Sequence, residues 1–183
     1  MKKFLAGSAI ALTMMTAPLS AQDMQFGTDD DMAYAKLLWD VMESARLVGD
    51  HAIMSSPYDG TPPHGKMLET FYSSATVDGH TGTLIVKRNY GPEGVEADQI
   101  LADPGKHLGA ITVMFQREDG YDADNQNWFW VKYLKDGSLD KNPKGMALAG
   151  RVAKGADKGC IACHSNEDDY IFTTDAIGAM MMK

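Results

Sequence analysis

The chain has 183 residues, enough for one domain with a sizeable core, and carries a formal net charge of −8 from 17 Lys and Arg against 25 Asp and Glu. An acidic surface argues against nucleic acid as a partner, because phosphate binding relies on clustered Lys and Arg. It suits solubility and a basic protein partner instead. Only two cysteines are present, so their spacing decides whether they form a disulfide or serve another chemistry.

Residues 1–21 differ from the rest. Lys2 and Lys3 make a positive start, Phe4 to Met15 is nearly all apolar or small, and Ala17-Pro18-Leu19-Ser20-Ala21 offers a small-residue cleavage site. This is the layout of a secretory signal peptide. The apolar run is short for a bilayer span, which makes a retained anchor the weaker alternative. The expected mature chain is then one domain, 22–183, exported to a bacterial periplasm, with no stable membrane insertion after cleavage. Loss of Lys2 and Lys3 takes the formal charge from −8 to −10, since the leader has no Asp or Glu.

In chain order, a helix is expected first. Asp30 or Asp31 caps it, and the segment Asp31 to Ile53 places Leu38, Met42 and Ala45 along one face, extended by Met32 and Ala35. Trp39 and Val41 widen that face, which suits burial against a sheet or a partner subunit. Ser55 to Gly65 is a turn-rich connector. Strands are expected over Lys66–Ser73, Gly82–Tyr90, Gly109–Gln116 and Trp128–Tyr133, from their β-branched and aromatic content. Glu96 to Leu108 suits a loop with a helical turn, Gly137 to Lys144 another turn region, and Gly150 to Lys158 a helical turn. Without repeated βαβ units, the fold class is α+β: a mainly antiparallel β-sheet, an N-terminal helix and a C-terminal segment that carries both cysteines.

That last segment carries the strongest chemical signal, Cys160-Ile161-Ala162-Cys163-His164. C-x-x-C-H marks c-type haem attachment. Two thiols a short turn apart add to the haem vinyl groups, and the histidine beside the second reaches the iron on the same face. A thioredoxin-like pair would open a helix after an early βαβ unit, and a zinc site would need further ligands. The other histidines, His51, His64, His80 and His107, form no recognised cluster with the motif. The expected cofactor is one covalently attached haem c, held by Cys160 and Cys163, with His164 on the iron.

Several segments together resemble the cytochrome P-460 family and the related cytochromes c-prime-beta. They are Pro63-His64-Gly65, the strand Gly82 to Lys87, Thr112-Val113-Met114, Asp124 to Trp130, Gly150-Arg151-Val152-Ala153 leading to the haem motif, and Asp169-Tyr170-Ile171-Phe172-Thr173 behind it. The resemblance spans roughly Asp30 to Asp175. It implies a homodimer and a five-coordinate haem with an open distal side facing the sheet. The P-460 branch oxidises hydroxylamine and has a lysine cross-linked to the haem. The c-prime-beta branch binds nitric oxide and similar small ligands in an apolar pocket.

Lys87 matches the cross-linking lysine. Period-two alternation puts Thr83, Ile85 and Lys87 on one face and Leu84 and Val86 on the other. It does not say which face meets the haem, so Lys87 is either a haem contact or a solvent-facing strand residue. Thr112 falls near the position of the hydroxylamine-oxidising branch's distal glutamate, and a hydroxyl cannot replace an ionised base. Glu69 is the only acidic residue on the preceding strand; it either compensates for the missing carboxylate or, the favoured reading, belongs to that strand's polar face. Phe71, Phe115, Phe129, Trp128 and Trp130 are candidates for haem surroundings or ordinary core. Met114 and Met180-Met181-Met182 keep a His/Met electron-transfer cytochrome open. The leading expectation is a periplasmic mono-haem cytochrome binding nitric oxide or a similar small ligand, with possible electron transfer to a redox protein partner. The alternatives are a hydroxylamine-oxidising enzyme and the His/Met carrier.

Overall fold

A computed structural model describes residues 26–173. The leader 1–21 and the tail methionines lie outside the described residues. Helix α1 spans Asp29–Ser44. Its cap is Thr28, not Asp30 or Asp31: the Thr28 hydroxyl accepts from the Asp31 N–H at 3.1 Å, and the Asp31 carboxylate accepts from the Thr28 N–H at 3.1 Å. This reciprocal box satisfies two otherwise orphan donors. The helix also stops short of Ile53. Arg46 takes a left-handed conformation (φ 59°), which no helix continues. Its buried face is Tyr34, Ala35, Leu38 and Met42, while Met32 is exposed.

The sheet is a six-stranded antiparallel meander with its strands in sequence order. Its strands are β1 (Tyr58–Asp59), β2 (Met67–Val77), β3 (His80–Tyr90), β4 (Leu108–Gln116), β5 (Trp128–Tyr133) and β6 (Ala149–Gly150). Helices α2 (Ala97–Ala102) and α3 (Pro104–His107) occupy the β3–β4 connection, where one helical turn was expected. The β2–β3 hairpin is longer than its apolar runs suggest. It closes on Asp78-Gly79, both at positive φ, the two-residue pair that matches the twist of flanking strands.

Alternation along the strands divides the core in two. Leu84, Val86, Ile111, Val113, Phe115, Phe129, Val131 and Tyr133 face α1 and form the larger cluster. The Tyr133 hydroxyl donates to the Ala35 carbonyl at 2.6 Å, fastening α1 to β5. Ile85, Met114, Trp128 and Trp130 belong to a second cluster with Val152 and Ile161. Phe115 and Phe129 therefore belong to the helix side, as does Phe71, which packs against that cluster.

Glu69 is fully buried and takes no place on a polar face. Its carboxylate accepts from Arg88 at 3.3 Å and from the Tyr90 hydroxyl and the Ser55 N–H. Arg88 also donates to the carbonyls of Leu47 (2.6 Å) and Ile53 (2.7 Å), so one ion pair clamps the chain after α1 onto the sheet. Register pairs Glu69 with Arg88 and the adjacent Thr70 with Lys87, so Glu69 is on the face opposite Lys87.

Candidate haem site

The attachment motif forms α4 (Cys160–His164), a single turn packed on the second cluster. Of the Gly150–Lys158 segment before it, Gly150 ends β6 and the rest is turns and bends without helix. Gly159 enters α4 at φ +132°, where a Cβ would meet the Ala153 Cβ at 2.5 Å, so the position excludes a side chain. Lys154 pairs with Asp122 and Asp124, Arg151 donates to the Tyr121 carbonyl, and the Tyr72 hydroxyl donates to the Phe172 carbonyl at 2.9 Å. These contacts hold both flanks of the motif against the sheet and the β4–β5 loop.

Cys160 is half-buried and Cys163 exposed, and they are not joined in a disulfide. Their i, i+3 spacing puts both on one side of the turn. His164 is buried, and its Nδ1–H donates to the Tyr170 carbonyl at 2.7 Å. With Nδ1 carrying the proton, Nε2 keeps its lone pair, as a metal-ligating imidazole requires. Burial, reinforced by Lys87, lowers the His164 pKa against the opposing Tyr170 bond.

His164, Cys160 and Cys163 line a cavity of about 690 Å³, within the range of cofactor sites. Cross-strand register gives its sheet wall two rows. Ile85, Met114 and Trp130 make an apolar row; Lys87, Thr112 and Lys132 make a polar one. Trp130 meets the His164 ring at a centroid distance of 4.9 Å. Lys87 thus faces the cavity, directly across from Thr112. Burial lowers the Lys87 pKa, favouring the neutral amine. Lys132 is held by Asp140 at 2.8 Å.

The loop before β2 brings a residue that motif spacing did not connect with the site. His64 lines the cavity, its ring centroid 6.3 Å from that of His164. Gly65 lets this loop press on β3, since a Cβ there would meet the Tyr90 backbone N at 2.6 Å. Asn89 organises the contact. Its Nδ2 donates to the carbonyls of Lys87 (3.0 Å) and Ala110 (3.3 Å) and to the Thr112 hydroxyl (3.2 Å), while its Oδ1 accepts from the Gly65 N–H (3.3 Å). These backbone partners fix the amide orientation, so His64 Nδ1, 3.0 Å from Oδ1, must be the donor. His64 Nε2 is therefore the bare nitrogen. Thr112 sits 3.4 Å from Nδ1.

Burial first, then the charge of Lys87, lowers the His64 pKa from 6.5 to about 4, against the Asn89 bond. The unfolded chain then binds the extra proton between those values. Stability from the neutral ring is complete above about 6.5 and is lost as pH falls toward about 4. Denaturant titrations of the haem-free chain, in which no iron competes for the ring, at pH about 7 and about 4.5 should show lower stability in acid, and His64→Gln should shrink that difference. An unchanged difference would remove His64 as a source.

The donor set suits a porphyrin better than a bare ion. Among the described residues no three His, Cys, Asp or Glu side chains are grouped to hold a metal by themselves. A porphyrin brings its own four nitrogens and asks the protein for thiols, an axial imidazole and an apolar bed. All three meet at this cavity, and the chain is a c-type haem protein with a single haem attached through the Cys160–Cys163–His164 motif. The Cytochrome P460 model matches residues 66–173, and the chain belongs to that family. No curated protein and no solved structure matches it. No helix among the described residues is long and apolar enough to cross a membrane.

Proposed function

We propose that this chain is an exported mono-haem cytochrome that binds nitric oxide or a similar small nitrogen-oxide ligand on the sheet side of its haem, in the manner of the c-prime-beta branch, and exchanges electrons with a protein partner. When bound, the haem supplies an iron with one-electron chemistry and affinity for diatomic ligands. His164 would hold the iron through Nε2, the nitrogen left free by the Nδ1–H bond to the Tyr170 carbonyl. The observation carrying this reading is the polar row Lys87–Thr112–Lys132, which has no carboxylate. Glu69 is buried on the other face, and Asp157, the acid at the cavity edge, is an exposed residue of the loop before α4. Hydroxylamine oxidation needs a base to accept protons as electrons leave, and the strand row supplies no carboxylate for that role, which leaves only nitrogen groups of the cavity, Lys87 on the strand and His64 on the loop before β2, to take it. The Thr112 hydroxyl, accepting from Asn89, retains its own proton to donate into the cavity.

Ferrous holoprotein is expected to bind nitric oxide and carbon monoxide, read as a shift of its absorption bands; failure to bind either sinks this reading. One observation favours the hydroxylamine-oxidising alternative. Lys87 is a half-buried amine facing the cavity with its pKa lowered, and the neutral amine is the nucleophilic form. Peptide mapping separates the two. We expect the Lys87 peptide to be released free of haem and Lys87→Ala to leave the ferric spectrum in place. A haem-bearing Lys87 peptide would establish the cross-link.

A further inference from the structure

We propose that His64 is the second axial ligand of the haem iron, binding through Nε2 opposite His164, and that a small ligand enters by displacing it. This rests on the haem reading above and departs from the open sixth position that the resemblance implies.

Three observations converge. The first is distance. Two imidazoles bound to one first-row metal at about 2.0–2.1 Å per nitrogen hold their ring centroids roughly 6 Å apart. The His64 and His164 centroids are 6.3 Å apart, with the rings nearly perpendicular at 88°. A distal histidine that merely bordered a vacant coordination position would stand farther off.

The second is tautomer. Each ring has its Nδ1–H committed to a fixed acceptor, the Tyr170 carbonyl for His164 and the Asn89 amide oxygen for His64. Each is left with an unprotonated Nε2. Among the described residues no group pairs with the His64 Nε2. A histidine kept only for packing places no such demand on its second nitrogen. A donor bond behind a metal-bound imidazole is the usual orienting device.

The third is support. The loop holding His64 is fastened by the His64 N–H to the Thr61 carbonyl at 3.0 Å and by the close approach of Gly65 to β3. Asn89, which orients the ring, stands two residues beyond Lys87 on the same face of β3. Asn89 is a positioning residue for this ligand, and Thr112 borders the ring from β4.

Displacement balances simply: the iron–nitrogen bond to His64 breaks, the bond to the incoming diatomic forms, and no proton or electron moves. Lys87 and Thr112 would then face the newcomer.

Optical and electron paramagnetic resonance spectra of ferric holoprotein test the proposal. The expected result is a low-spin iron without a methionine-to-iron band, and a resonance pattern typical of perpendicular imidazole planes. His64→Ala should turn the iron high-spin, and added imidazole should restore the low-spin spectrum. Gly65→Val, which keeps the imidazole but pushes its loop off β3, should give a partial high-spin shift. Carbon monoxide uptake by ferrous wild type should level off at a limiting rate set by His64 release. His64→Ala should bind it with affinity at least about tenfold tighter, because the competent fraction no longer limits binding.

A high-spin wild-type spectrum, or a low-spin spectrum that survives His64→Ala, overturns the proposal; the latter would transfer the position to a methionine such as Met114. The two readings fail separately. Absence of diatomic binding in both wild type and His64→Ala defeats the ligand-binding function while leaving His64 ligation to the spectra. A high-spin wild type that binds nitric oxide defeats only His64 ligation.

Discussion

Replacing Cys160 and Cys163 together with alanine is expected to abolish covalent haem retention. Acid–organic extraction, which leaves haem c on the wild-type chain, should remove all colour from the variant, and its intact mass should equal the bare polypeptide. Each single variant should keep one thioether and a partly shifted spectrum. The loss extends beyond the bonds themselves. The α4 turn and the strand wall make a cavity whose apolar row is Ile85, Met114 and Trp130, and without the haem those side chains border a void or water. Lower thermal stability should therefore accompany loss of the haem, since a group that binds only the folded state stabilises it by mass action. Haem that stayed covalently bound in the double variant would place the attachment elsewhere.

The second large effect is expected from Arg88→Met. Arg88 and Glu69 are only 3% and 0% exposed. Removing the cation leaves a carboxylate in the core with the Tyr90 hydroxyl and the Ser55 N–H as remaining partners. Breaking one side of a buried pair costs about 3–5 kcal/mol, which lowers the melting temperature of a domain this size by roughly 6–20 °C. The carbonyls of Leu47 and Ile53 lose their donor as well. For that reason adding Glu69→Met should recover only part of the loss, unlike pairs whose members contact only each other. Thermal unfolding of the holoproteins checks both expectations. A cost below about 1 kcal/mol, typical of exposed pairs, would mean water reaches the site. The haem spectrum should change little in either variant, because this pair lies on the face of the sheet turned away from the cavity.

The two faces explain which parts were legible from sequence. The four main strands were found because β-branched and aromatic runs state their preference locally. Their ends extend past the expected limits where small and polar residues alternate with core ones, at Ser74 to Val77, with Val77 buried, and at His80-Thr81. Asp78-Gly79 carried a usable turn signal. Helix α1 was expected too long because its apolar residues continue to Leu47 and Val48, which are buried from the turn after the helix. Alternation correctly grouped Ile85 with Lys87 but could not choose their face. That depended on where α1 packed, a contact between segments distant in sequence.

The haem attachment was written entirely in contiguous residues. Two thiols and an imidazole within five positions need only one helical turn to work together, so sequence alone identified Cys160, Cys163 and His164. What stands opposite them only the tertiary structure decided. His64 is about a hundred residues upstream, and Asn89 and Thr112 come from different strands, joined by ladder register and by a loop pressed onto β3. Short covalent chemistry is local, whereas a distal pocket is a product of strand pairing. No spacing along the chain encodes which side chains that pairing will bring within reach of the iron.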